Sequence, residues 1–271
     1  MKIRSGFFGL VIYCLVIPGL QAGAADQGFE AGLNSEQRPQ EDRDRDASRK
    51  PGQVIAFLGL ESGMTAMDVI AAGGYYTEVL SAAVGPQGRV IAQNSERILQ
   101  FGDGAVAKAF RARVDRLGNA EILLASLSDL NPQKDPYSAS GTTVLGAVET
   151  VPAVYAGKID AAITALNLHD VYNFGGKDAA SAMLRTIFQM LKPGAVFGVI
   201  DHVGIDGQDN TRLHRIEIET ARGLLTGAGF VIEAESDLLA NPKDDHTLGV
   251  MDPALGRNTD RMLIKARKPA N

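Results

Sequence analysis

An α/β fold built on a doubly wound, Rossmann-like sheet of seven strands, mostly parallel with the last one antiparallel, is what this sequence predicts. Three observations predict it. Between Thr65 and Asn94 an apolar run meets two glycines, then a helical pattern, then a second apolar run. Strand, glycine turn, helix and strand in that order make half of a nucleotide-binding sheet. Strand-like and helix-like stretches then keep alternating, as the strands and crossover helices of a parallel sheet do. The last two strand-like stretches have no helical pattern of useful length between them, which makes them antiparallel neighbours.

The first segment reads as a processing signal. Lys2 and Arg4 give it a positive start, Gly6 to Leu20 an apolar core, and Ala22-Gly23-Ala24 a small-residue cleavage site. The apolar run is short for a membrane span. Residues 1–24 are therefore expected to be removed, leaving a periplasmic or secreted chain, without a membrane anchor, that begins near Ala25. Cys14 is the single cysteine and leaves with the signal. The mature chain then has no disulfide, no thiolate catalysis and no cysteine-bound zinc. Residues 25–40 are polar and aperiodic and are expected to form a disordered leader. Glu41 to Asp46 alternates acid and base, as a solvated helical face does. Pro51 opens a second helix, with Val54, Phe57 and Leu58 on its buried side.

Ala66 to Ala71, interrupted only by Asp68, has the length of a buried strand. Gly73 and Gly74 follow, and Tyr75, Val79, Leu80 and Ala83 then fall at helical spacing. Gly85-Pro86-Gln87-Gly88 stops that helix. Arg89 to Ala92 is the second strand, ending at Gln93 and Asn94. Glycines let a ligand lie against the backbone at a helix N-terminus. Asn94, about 20 residues past Gly74, stands where a polar side chain can reach a ribose. The turn is not G-x-G-x-x-G and Asn94 is not acidic, so a turn of purely structural use is the alternative.

Ile98 to Leu117 reads as one helix with basic residues late in it, and Ala120 to Ala125 as the third strand. Asn131 to Pro152, rich in Pro, Gly, Ser and Thr, reads as an insertion loop. Ile159 to Ala165 is the fourth strand. Ala179 to Leu191 is an amphipathic helix closed by Lys192-Pro193-Gly194. Ala195 to Ile200 is the fifth strand and leads to Asp201-His202. Leu213 to Ala228 is a helix, and Phe230 to Glu235 and Arg261 to Ala266 are the final strands. Their connector, Leu239 to Asp260, is long enough to be a lid or a binding loop. A net charge of −5 offers nucleic acid no basic surface.

These features resemble the class I S-adenosylmethionine-dependent methyltransferases. Asp68…Gly73-Gly74-Tyr75 resembles their first motif, and Ile159-Asp160…Asn167-Leu168-His169-Asp170 the motif of their fourth strand. Leu191-Lys192-Pro193-Gly194-Ala195-Val196-Phe197 resembles their approach to strand five. His214-Arg215-Ile216, Ala228-Gly229-Phe230, Glu235 to Leu239, Asn241-Pro242, Asp252-Pro253 and Thr259-Asp260-Arg261 are similar to a bacterial family of exported predicted methyltransferases. The resemblance implies one methyltransferase-like domain over residues 41–269. Compared with that family, Ala71-Ala72-Gly73-Gly74 lacks a proline and one glycine, and Gln93-Asn94 stands where an acid is common.

The resemblance also implies S-adenosylmethionine as cofactor and a small molecule as methyl acceptor. Gly73 and Gly74 would face the methionine part, Asn94 the ribose and Ser126 the adenine region. Ala71, Tyr76 and Asn167 fall on the same cofactor side. Asp68 would either receive cofactor or backbone hydrogen bonds or cap the turn. His169-Asp170 is the best acid/base pair, since a neutral imidazole can take the acceptor's proton near pH 7. The alternative is a histidine that ties down its loop. His202 has the same strand-end placement, and His214, opening a helix, is expected to cap or pack. His246 lies beside Asp244 and Asp245, but no second histidine at ligand spacing supports a metal there, so none is expected. An exported, non-catalytic ligand-binding protein that retains the fold is the rival reading. A nicotinamide-dependent oxidoreductase is weaker, because the glycine triplet and the ribose acid are missing.

Overall fold

The computed structural model describes residues 23–127 and 154–270. The expected signal as far as residue 22, and the insertion loop expected over 131–152, lie outside the described residues.

Seven strands form one sheet. They are β1 (Thr65–Val69), β2 (Arg89–Asn94), β3 (Ala120–Leu124), β4 (Ile159–Ala165), β5 (Leu191–His202), β6 (Val231–Ser236) and β7 (Arg261–Arg267). Their order is β3-β2-β1-β4-β5-β7-β6. β1 pairs in parallel with β2 and β4, and β4 with β5. β7 runs antiparallel between β5 and β6. The strand direction reverses only at the last strand, as the sequence predicts. The carboxyl ends of β1, β2, β4 and β5 therefore gather on one edge, together with the start of β7, where His202 pairs with Arg261.

Alternation along the strands supplies two apolar faces. Ala66, Val90, Ala161 and Ile163 pack with α3 (Pro51–Leu58) and α4 (Tyr75–Val84). Met67, Ile91, Ala162 and Phe197 pack on the other side with α7 (Leu168–Met190) and α8 (Ile218–Gly227). Helices on both faces bury β1, β2, β4 and β5, which accounts for their near-continuous apolar runs, while the edge strands β3 and β6 stay part-exposed.

Several expectations change. The helix expected over 213–228 begins only at Ile218, and His214 does not open it but holds a positive φ of 53° ahead of it. The leader expected to be disordered carries α1 (Gly23–Leu33) and leads into α2 (Gln40–Arg49). Leu33 is buried, and a Cβ on Gly32 would stand 2.6 Å from the Cβ of Ala82, so α1 lies close on α4. Phe29 and Leu33, one helical turn apart, give the segment an apolar contact that its polar composition conceals. The face of α2 expected to be solvated buries Asp42 completely. The helix expected over 98–117 is two, α5 (Glu96–Leu99) and α6 (Ala105–Arg116). Gly102, Asp103 and Gly104 all have positive φ, which no α-helix continues through. The helix expected from Ala179 starts at Leu168, with a kink at Gly176.

Candidate functional site at the carboxyl ends of the strands

The turn after β1 is built by amide side chains from β2 and from the N-cap of α7, just beyond β4. Ile70 and Ala72 both hold positive φ, 55° and 48°, unusual for residues with a Cβ. Gln93 clamps the first: its Oε1 accepts from the Ile70 N–H at 2.9 Å, and its Nε2 donates to the Ala125 carbonyl at 2.6 Å. Asn94 clamps the second: its Oδ1 accepts from the Ala72 N–H at 2.9 Å and its Nδ2 donates to the Ala72 carbonyl at 3.1 Å. Asn94 is fully buried. The ribose role expected of it is thus corrected: both ends of its amide are committed to the turn. Asn167 likewise turns inward, its Nδ2 donating to the carbonyls of Ala165 at 2.9 Å and Ile70 at 3.2 Å. It stitches the end of β4 to the end of β1.

The two glycines differ. A Cβ on Gly74 (φ 86°) would meet the Cδ of Arg113 at 2.9 Å, whereas one on Gly73 would meet no protein atom within 4 Å. Gly74 serves the packing of Arg113, and Gly73 faces open space. Asp68 is buried beneath the turn and accepts from the Thr77 hydroxyl at 2.6 Å. Burial raises its pKa to about 6, against the pull of that hydrogen bond and of Arg113. Ala71 packs against Ala92 and Leu99, and Ser126 is half-buried just beyond β3. Tyr76, expected to line the cleft, is buried edge-on against Tyr75 with ring centroids 5.1 Å apart. Both tyrosines belong to the core under α3.

A charged network missing from the sequence reading closes over this turn. Arg113 reaches Glu78 at 2.5 Å and Asp42 at 2.6 Å. Arg38 pairs with Asp46, which also accepts from the Tyr75 hydroxyl at 2.6 Å. Arg49 lies over the Tyr75 ring, 4.2 Å from its centre. Asp42 and Asp46 are four residues apart and so share one side of α2, a spacing visible in the sequence.

The histidines converge beyond β4 and β5. His169 is buried, with Nδ1 2.5 Å from Asp201 Oδ1 and Nε2 3.0 Å from Asp170 Oδ1. Its backbone N–H donates to the other oxygen of Asp201 at 2.8 Å. His214 Nδ1 lies 2.7 Å from the same Asp170 oxygen. Burial opposes charge on His169, but the Asp201 carboxylate and the hydrogen bonds to Asp170 and Asp201 prevail and raise its pKa to about 10. The expectation of a neutral imidazole poised as a base at pH 7 is corrected: between two carboxylates the ring holds its proton. His202 is driven the other way, to about 3, by burial. It stays neutral, with Nδ1 2.6 Å from the Thr259 hydroxyl. Asp201 and His214 are the partners sequence proximity did not reveal. Donor atoms of His169, Asp170 and His214 all lie within 4.8 Å of one another.

The connector between β6 and β7 is tied down. Arg215, fully buried, donates to both oxygens of Asp244 at 2.9 and 3.0 Å, and to the carbonyls of Val203 and Leu248. His246 pairs with Asp260 at 2.8 Å.

No family profile and no curated protein matches this chain. Solved structures do. A SAM-dependent methyltransferase from Aquifex aeolicus superposes with a TM-score of 0.55 at 17% identity, over 84% of this chain and 95% of its own. Burkholderia thailandensis 1,6-didemethyltoxoflavin-N1-methyltransferase, solved with S-adenosylhomocysteine, gives 0.52 at 17% identity, over 85% and 81%. The [4+2]-cyclase SpnF gives 0.52 at 19% identity, over 83% and 82%. The chain has the class I methyltransferase fold. That fold carries more than one chemistry, as the cyclase demonstrates.

Proposed function

We propose that this chain is an S-adenosylmethionine-dependent methyltransferase acting on a small-molecule acceptor, exported after loss of residues 1–24. The observation that carries the reading is the open side of Gly73 at the carboxyl end of β1, where a Cβ would enter space that no protein atom fills. In open α/β sheets that edge is where ligands bind. The cofactor brings a methyl group on a positively charged sulfur. The turn at Ala71 to Gly74 would hold its methionine end, and Ser126 would lie on the adenine side. Direct displacement at that methyl needs alignment more than acid/base power. This suits a site whose His169 keeps its proton and whose His202 is neutral and hydrogen-bonded. Asn94 favours the second reading, a non-catalytic binding protein, because its amide is spent on Ala72.

Calorimetry with S-adenosylmethionine, S-adenosylhomocysteine and NAD on the mature chain separates these. Binding of the first two, weakened by Gly73→Ala without loss of thermal stability, is the expected result. No heat from either at millimolar concentration would sink both methyl-donor readings, and NAD binding alone would point to an oxidoreductase. A labelled-methyl screen of phenols, thiols, amines and carboxylates then distinguishes enzyme from binder. Intact mass of the exported protein should begin near Ala25.

A further inference from the structure

We propose that His169, Asp170 and His214 form a binding site for one divalent transition-metal ion, with zinc the natural occupant of its two imidazoles and one carboxylate. Two histidine rings, from the start of α7 and from the segment before α8, converge on a single oxygen of Asp170, at 3.0 Å from His169 Nε2 and 2.7 Å from His214 Nδ1. Zinc bonds to nitrogen and oxygen at about 2.0–2.1 Å in tetrahedral sites, which sets donor atoms about 3.3 Å apart. Both nitrogens need move only a few tenths of an ångström from the Asp170 oxygen to reach that spacing, and the two nitrogens themselves stand within 4.8 Å of each other. The Asp170 and His214 side chains are 47% and 41% exposed, so they are free to yield.

A second observation points the same way. His169 presents Nδ1 to the fully buried Asp201, which also takes the His169 backbone N–H through its other oxygen. A carboxylate on the far nitrogen of a histidine fixes the ring and its orientation, and an ion entering here displaces the Nε2 proton that the metal-free ring keeps between its two carboxylates. Here it aims Nε2 at Asp170 and His214. Three protein donors leave positions for water or for an anionic oxygen of a bound molecule, the arrangement of a reactive rather than a purely structural zinc. A surface cavity of about 230 Å³ is lined by Tyr172, Asn173, Thr211 and Arg215, near neighbours in sequence of Asp170 and His214. The ion needs no cysteine, so the lack of one in the mature chain does not exclude it.

The site is independent of the methyl-donor reading and is tested without it. The purified mature chain, stripped with a chelator and dialysed, is titrated with Zn²⁺ by calorimetry and with Co²⁺ by visible absorption, whose intense bands mark four- or five-coordinate cobalt. One equivalent should bind, and the thermal midpoint should rise with added Zn²⁺. His214→Ala, at a half-exposed position, should fold normally and lose at least about 10-fold in affinity, and Asp170→Ala should do the same. Asp201→Asn, acting through His169, should cost about 10–100-fold. His246→Ala should bind as the parent does. Absence of stoichiometric Zn²⁺ binding, parent-like affinity in His214→Ala, or loss of the ion in His246→Ala would each overturn the assignment.

Discussion

Replacing Arg215 by methionine should destabilise the protein by about 3–5 kcal/mol, because it strands a buried carboxylate. Arg215 and Asp244 both have side chains at 0% exposure, and the guanidinium meets both oxygens of the carboxylate. Methionine fills much of the arginine volume, so the cost is electrostatic more than a cavity. Two backbone N–H groups, of His246 and Asp260, still reach Asp244, which places the loss toward the lower figure. For a chain of this size that is a fall of roughly 10 °C in Tm. Thermal and urea unfolding, followed by circular dichroism, read it directly. The double variant Arg215→Met/Asp244→Asn should recover part of the loss, since the stranded charge is gone. Burial works against ionisation of Asp244, but its backbone donors and Arg215 outweigh it and hold its pKa below the usual value. The parent's contribution from this pair is thus present above the ordinary carboxylate pKa and lost as pH falls through the depressed one. Without Arg215 the carboxylate protonates more readily, so the gap between parent and variant narrows as pH drops from 7 toward 4. A single variant within about 1 kcal/mol of the parent at pH 7, or a double variant no better than the single, would refute the argument that this pair pins the β6–β7 connector.

Gly74→Ala should destabilise by about 2 kcal/mol, since a Cβ at φ 86° is strained and meets Arg113, while Gly73→Ala should stay within about 0.5 kcal/mol of the parent; chemical denaturation of the pair compares them. Asp68→Asn keeps an acceptor for the Thr77 hydroxyl and removes a buried charge. With a folded pKa of about 6, above the ordinary carboxylate value, Asp68 adds stability that is fully present below the unfolded pKa and lost as pH rises through 6. The asparagine variant should accordingly gain on the parent above pH 6, by up to about 3 kcal/mol, and show no advantage near pH 4; a pH series of urea midpoints that stay parallel would contradict it.

The strand–turn–helix–strand unit from Thr65 to Asn94 was legible because its periodicity is local, and so was the reversal at β7. The break at Gly102-Asp103-Gly104 could also have been read from its glycines. α1 could not, because two apolar residues in a polar stretch gain meaning only when α4 is beside them. The site divides similarly. Position along a strand places Asn94 and Asn167 at the right edge, but it does not reveal whether an amide faces a ligand or a peptide group. For His169, the sequence neighbour Asp170 was visible while Asp201, 32 residues on, was not. Only the pairing of β4 with β5 brings that carboxylate under the ring, and this pairing reverses the protonation state expected of the histidine.

The central place of β1 also has a bearing on the order in which the protein can fold. Its first neighbour, β2, is made soon after it. Its second, β4, comes much later: the Thr164 hydroxyl that bonds to the Val69 carbonyl is 95 residues away, and Asn167, which secures Ile70, is 97. Contacts so distant along the chain form slowly, since a long loop must close before they repay it. Until then one side of β1 is an open, apolar edge with unpaired backbone groups, able to recruit a strand from another copy. The turn where a ligand would sit is therefore among the last parts of the molecule to be completed, and a nascent chain that has not yet reached β4 has strands but no finished cleft.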